Sequence, residues 1–168
     1  MTLRVYIAGP DVFRPDALVW AESVRALCAA QGCVALLPTD GGHTTAAAIY
    51  AGNIALIQQA DTVLANLNAF RGAEPDSGTC FEVGYAAALG KRVIGYVERG
   101  ECIAERVARL EGRALARGAQ GPLDAAGQVI EDFGLPVNLM LAIPAELVVG
   151  DLAAALRRAL AGATPGQP

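Results

Sequence analysis

Residues 61–97 read DTVLANLNAFRGAEPDSGTCFEVGYAAALGKRVIGYV, and the way this stretch folds decides the architecture of the chain. It opens with an apolar run, Asp61 to Leu67, of the length and composition of a strand. A polar segment follows, and from Ser77 to Gly90 small and apolar residues recur at helical spacing. Lys91 and Arg92 then lead into a second apolar run, Val93 to Val97. Two strands joined through a helix make a parallel pair. Neither run alternates apolar with polar residues, so both strands are expected to be covered on both faces.

The same unit repeats outward. Leu3 to Ala8 is a short apolar run stopped by Gly9-Pro10, a first strand. Asp16 to Gln31 has apolar residues at helical spacing (Leu18, Val19, Val24, Leu27, Cys28), with Pro15 in the first turn and Gly32 at the end. Cys33 to Leu37 is a second strand, stopped by Pro38. After the loop Thr39–His43, Thr44 or Thr45 caps a helix running to about Gln59. Beyond Val97, Glu101 to Ala119 has helical propensity, and Gly118 to Gly134 reads as loop with a short helical piece. A small apolar helix begins at Asn138, Glu146 to Val149 is a fifth strand, and Asp151 caps a last helix to about Leu160. The expectation is a doubly wound α/β domain over residues 1–162, its five-stranded parallel sheet carrying helices on both faces. Residues 163–168 are expected to be a frayed tail.

Composition narrows the chemistry. At 168 residues and 54% hydrophobic, the chain can build a substantial core. A net charge of −4 gives no basic footprint for nucleic acid, and a small polar or neutral ligand fits better. No apolar run reaches the ~18–20 residues of a membrane span, and no signal-peptide pattern precedes the first strand, so a cytoplasmic protein is expected. Cys28, Cys33, Cys80 and Cys102 show no CxxC spacing, and His43 has no cysteine near it, which disfavours zinc. Cys28, Cys33 and Cys80 are expected to be reduced and buried. GxGxxG after the first strand, GxxxxGK[ST] and GxSxG are all missing, so dinucleotide, nucleoside-triphosphate and serine-hydrolase chemistry in their usual forms are disfavoured.

Ligands in doubly wound folds bind outside the carboxyl ends of the strands. The segments there, Gly9–Phe13, Thr39–His43 and Asn66–Gly78, hold most of the unusual polar and aromatic residues. Glu82 stands in the first turns of a helix among Phe81, Val83 and Gly84. It is either a rim nucleophile or a solvent-facing carboxylate favoured by the helix dipole. Asp76 precedes Ser-Gly-Thr and reads as an N-cap or as a second functional carboxylate. Two carboxylates in different environments are what nucleophilic attack coupled to proton transfer needs. Tyr6 reads first as core, with a rim role as the alternative. Phe13 is a lid for a planar ligand or ordinary packing, and Asp40 bonds a base edge or caps its loop. Asn53 and Asn138 are amides in apolar surroundings that need partners. His43 reads as a solvated loop residue.

These residues together resemble a family, the nucleoside 2-deoxyribosyltransferases. The resemblance spans most of the chain. It is carried by Tyr6-Ile7-Ala8-Gly9-Pro10, Leu37-Pro38-Thr39-Asp40, Asn53 with Ala60-Asp61, and above all Asp76-x-Gly78-x-x-x-Glu82-x-Gly84-Tyr85 joined to Asn138-Leu139-Met140. It implies a flavodoxin-like domain that exchanges bases on 2′-deoxyribonucleosides without a metal or cofactor. By position, Glu82 is implied as the nucleophile at C1′, Asp76 as the proton donor and acceptor for the bases, and Tyr6 as the group orienting Glu82. Asn138 is implied to complete a neighbouring subunit's site near the sugar 5′-hydroxyl, in a dimer-based homo-oligomer with hexamers common. Phe13 and Asp40 are implied base contacts. Gly9, Asn53, Gly78 and Met140 are implied substrate contacts, Asn53 where some members carry Asp. Free nucleobases are the implied co-substrates, in nucleoside salvage. The alternatives are a hydrolase of the same fold acting on 2′-deoxynucleoside 5′-monophosphates, and a non-catalytic nucleoside-binding module. Asp11 in the first loop would repel a phosphate, and the Asn138-Leu139-Met140 segment favours a free 5′-hydroxyl.

Overall fold

The computed structural model describes residues 2–162. The expected tail, 163–168, lies outside the described residues. The strands are β1 (Arg4–Ala8), β2 (Val34–Leu36), β3 (Thr62–Asn66), β4 (Arg92–Val97), β5 (Ala116–Gly118), β6 (Gly121–Leu123) and β7 (Glu146–Val149). The α-helices are α1 (Ala17–Ala30), α2 (Ala46–Gln59), α3 (Ser77–Ala88), α4 (Ile103–Glu111), α5 (Leu139–Ala142) and α6 (Leu152–Ala161). A 3-10 turn covers Pro10–Phe13.

Five strands form one parallel sheet in the order β2-β1-β3-β4-β7. This is the flavodoxin order, in which the chain reverses its winding between β1 and β3 and opens a crevice there. Successive strand residues serve opposite faces. Tyr6, Val63 and Val93 pack with Ile57, Val83, Ala86 and Leu141 from α2, α3 and α5. Val5, Ile7, Leu64 and Ile94 pack with Val24 and Cys28 of α1 and Leu156 of α6 on the other face. Both faces are covered, which is why the central strands read as unbroken apolar runs.

Three boundaries differ from expectation. Pro15 stands before α1, whose N-cap is Asp16. The helix expected over Glu101–Ala119 covers only Ile103–Glu111, because Gly112 takes a left-handed conformation (φ 65°) that ends it. The segment expected as loop with a helical piece is an antiparallel hairpin, β5 with β6. The helical piece is replaced by a turn in which Asp124 Oδ1 accepts hydrogen bonds from the Ala126 and Gln128 amides. Asp prefers such local bonds to a helix interior. Leu18 and Val19, two of the apolar residues at helical spacing in α1, are about 70% exposed. Among the described residues no helix is long and apolar enough to cross a membrane.

Arg92 fastens the far side of the sheet. Its guanidinium meets Glu146 of β7 at 2.6 Å and 3.2 Å and donates to the Ala159 and Arg158 carbonyls near the end of α6. Replacing it breaks a fork-shaped ion pair and strands helix-end carbonyls. Arg92→Ala is expected to cost about 1–2 kcal/mol, read as a lower urea midpoint at unchanged slope.

Candidate active site

The crevice at the carboxyl ends of β1, β2 and β3 is a cleft of about 520 Å³. Its walls come from the three loops named from the sequence and from the adjoining turns of α1, α2 and α3. Glu82 lies on its floor. The helix carries this carboxylate over the end of β1, where Tyr6, itself fully buried, donates from Oη to Glu82 Oε1 at 2.6 Å. Asn53 of α2 donates from Nδ2 to the same oxygen at 3.3 Å. Tyr6 is therefore both core and rim, since its ring fills the sheet face and its hydroxyl reaches the cleft.

Burial dominates the electrostatics. It pushes the Glu82 carboxyl from 4.5 up to about 7, and the nearby Asp76 charge pushes the same way. The hydrogen bonds from Tyr6 and Asn53 act against both. Desolvation, then the Glu82 charge, drives the Tyr6 hydroxyl far above its ordinary range, so it stays a donor.

Asp76 serves as the N-cap of α3. Its Oδ2 accepts from the Thr79 amide at 2.9 Å and from Thr79 Oγ1 at 3.1 Å. Its other oxygen makes no hydrogen bond to the described residues, so the cap leaves one lone-pair edge for the cleft. A Cβ at Gly78 would come within 3.0 Å of Asp76 Oδ2, so a larger residue there crowds the carboxylate. Gly9 fills a similar gap on the opposite wall, where a Cβ would lie 3.0 Å from both Asn66 Cβ and Asp11 Oδ2.

Of the residues singled out from sequence, Gly9, Phe13, Asn53, Asp76, Gly78 and Glu82 line this one cleft, with Tyr6 beneath it. Asp40 does not line it. It pairs with Arg25 and accepts from the Leu37 amide at 2.9 Å, the loop-capping alternative. Asn138 lies in a second cavity of about 600 Å³ bounded by α4 and the segment after the hairpin. There its Nδ2 donates to Glu131 Oε1 at 2.6 Å. Met140 is 72% exposed on the surface. Cys80, expected to be buried, is only half-buried.

Two lining residues were not read as functional. The His43 ring lies over α2 where a Cβ at Gly52 would fall 2.8 Å from His43 Cδ2. An interior helical glycine beside Asn53 is the sequence signal for that close approach. Thr39 also lines the cleft, and its Oγ1 is buried without a partner. Among the described residues no group of three or more His, Cys, Asp and Glu side chains is placed to hold a metal ion.

A family model described as nucleoside 2-deoxyribosyltransferase matches residues 5–140. The chain belongs to that family. Within it, the match takes in Tyr6, Asp76, Glu82, Asn138 and Met140. A solved 2-deoxyribosyltransferase from Leishmania mexicana is 36% identical, with a TM-score of 0.79 over 96% of this chain and 99% of that one. An uncharacterized protein of Schizosaccharomyces pombe is 30% identical over 155 residues, 81% of this chain and 74% of the relative. A conserved protein from Enterococcus faecalis shares the fold at 18% identity, with a TM-score of 0.54 over 94% of this chain and 99% of that one.

The raised Glu82 carboxyl has a consequence for stability. A folded-state value above the unfolded one means that stability falls as pH rises from 4.5 through about 7. Full ionisation at that site corresponds to roughly 3 kcal/mol. Glu82→Gln keeps the acceptor for Tyr6 and removes the charge. It is expected to melt higher than the wild type at pH 8, with the difference vanishing below pH ~4.5, as followed by calorimetry across pH.

Proposed function

We infer that the protein exchanges the base of 2′-deoxyribonucleosides through a covalent deoxyribosyl-enzyme on Glu82. The observation that carries this reading is the single cleft holding two carboxylates in unlike settings. Glu82 is desolvated and held by Tyr6 and Asn53, while Asp76 keeps one oxygen uncommitted. Family membership and the likeness to the Leishmania mexicana enzyme support it.

In the first half-reaction the ionised Glu82 carboxylate attacks C1′. The C1′–N bond breaks, its electron pair leaves with the base, and Asp76 supplies the proton that neutralises that base. In the second, Asp76 takes the N–H proton of an incoming base. The freed nitrogen pair attacks C1′, and the C1′–O bond to Glu82 breaks. Glu82 thus acts like the nucleophile of a retaining glycosidase. Both hydrogen bonds fall on Oε1, leaving Oε2 as the attacking oxygen. Phe13, Leu18 and Ile49 supply apolar walls for a planar base, and Thr39 and His43 offer polar atoms to its edge.

The Asn138 amide belongs, on this reading, to a second copy's cleft. Its own chain holds it in a different cavity, on Glu131. α3 packs against both α2 and α5, and on these elements and just after α5 Tyr50, Phe81, Met140 and Ile143 are all exposed. The Tyr50 and Phe81 rings already touch at 5.9 Å between centroids. An apolar surface of this kind marks an interface, here between copies of the chain, carrying Asn138 toward a neighbour.

Incubating the protein with deoxyinosine or thymidine and excess adenine, followed by chromatography, tests the chemistry. New deoxyadenosine is expected, none with Glu82→Ala, and a rate that climbs with pH until the carboxylate is ionised near pH 7. Base release without a new nucleoside, repeated on 5′-monophosphates, would instead favour the hydrolase. The shared site has its own test. Glu82→Ala and Asn138→Ala proteins, each impaired, are expected to recover activity on mixing and reassociation, because hybrid oligomers contain an intact cleft. Absence of recovery in proven hybrids removes the partner role of Asn138.

A further inference from the structure

The loop between β3 and α3 contains a feature that the chemistry above leaves unused. Arg71 is the single non-glycine residue with positive φ (52°) among the described residues. That conformation is strained for an L residue and persists when its surroundings compel it. It folds the side chain back so that the guanidinium lies 5.0 Å from the Phe13 ring centroid and 4.7 Å from that of Phe70. The two rings stack at 5.6 Å and 15°. No carboxylate of the described residues lies within salt-bridge distance of Arg71, so aromatic faces hold this cation.

The three residues join two loops of different duty. Phe13 is a wall of the cleft, carried on a 3-10 turn that has no buried residue of its own. Phe70 and Arg71 begin the segment that ends at Asp76. Below them the same two loops are fixed by Asn66 Nδ2, which donates to Asp11 Oδ2 at 3.0 Å. Buried Arg106 closes the neck of the second loop, donating from Nη1 to the Leu67 and Ala73 carbonyls at 3.3 Å each. The bases of the loops are rigidly tied, and at their tips the stack of Phe13, Phe70 and Arg71 makes the contact.

We propose that Arg71 is a positioning residue that latches the Phe13 wall to the Asp76 loop and thereby sets how the Glu82 intermediate divides between an incoming base and water. This role presupposes the base exchange inferred above. When the wall opens, water enters and its oxygen attacks C1′. The C1′–O bond to Glu82 then breaks, Asp76 takes the proton, and free 2-deoxyribose leaves. With the wall latched, a stacked base occupies that position instead.

Two measurements test the latch separately from the reaction. The first needs no substrate. In the native protein trypsin is expected to cut after Arg71 slowly, because the guanidinium is engaged. Phe13→Ala should speed that cut about fivefold, the scale of one lost cation–π contact, with other cuts unchanged by mass spectrometry. An unchanged rate overturns the latch, whatever the protein catalyses. The second compares free 2-deoxyribose with new nucleoside at fixed adenine in Arg71→Ala, Arg71→Gly and Arg71→Lys. Glycine relieves the strained backbone but lacks the cation, and lysine keeps a cation. Alanine and glycine are both expected to raise the hydrolytic share about fivefold and the KM for adenine, with little change in the first half-reaction. Lysine should recover part of the loss. A glycine variant that partitions like the wild type assigns the effect to backbone shape and overturns the proposal, as does an unchanged share in every variant. Should the native protein neither transfer nor release base, the reaction itself is misread, and the proteolysis still decides the latch.

Discussion

The hydrogen bond from Tyr6 Oη to Glu82 Oε1, 2.6 Å long and between residues 76 positions apart, ties β1 to α3 at the floor of the cleft. A carboxylate at that depth is expensive, and the cost is tolerable because two donors meet it and because one edge faces the cleft. The bond fixes where α3 sits over β1, and hence where the N-terminus of α3 points. Asp76, as the cap of that helix, inherits its position from the same constraint. The separation of the two carboxylates is thus a property of one helix pinned at one oxygen.

The sheet was legible because its physics is local. Apolar runs, glycine and proline stops and helical spacing lie within a few residues of one another, and the parallel order follows from short crossovers. The rim was legible too, since strand ends define it. The partners of the buried groups were not. Tyr6 read first as core because nothing near it in the chain announces Glu82, and Asp40 stayed open between a base edge and its own loop because Arg25, which pairs with it, lies on another element. The hairpin was missed for a different reason. Ala116 to Leu123 is short, exposed along β5 and rich in small residues, so it lacks the alternation that marks a half-buried strand. Leu18 and Val19 fit the helical period yet look outward, Leu18 into the cleft, because a binding site also needs an apolar wall.

The chain distributes its precision unevenly. Around Glu82 the atoms are fixed by core packing and by bonds between distant elements. Around the open side of the cleft the loops are held by an aromatic stack, by the Asn66 amide and by glycines that allow close approach. Reacting groups on rigid elements and recognition groups on adaptable ones suit the base exchange inferred above, in which two different bases occupy one cleft in turn.

The hydroxyl of Thr39 gives this division a selective edge. It lines the cleft and its oxygen is buried with no protein partner among the described residues. The fold has left the hydrogen-bonding capacity of that oxygen unspent. An apolar edge seated against it would leave it unpaired, at a cost of about 1–3 kcal/mol. A ligand that turns a polar atom toward it escapes that cost, so one unpaired hydroxyl helps to set which way round a ligand sits.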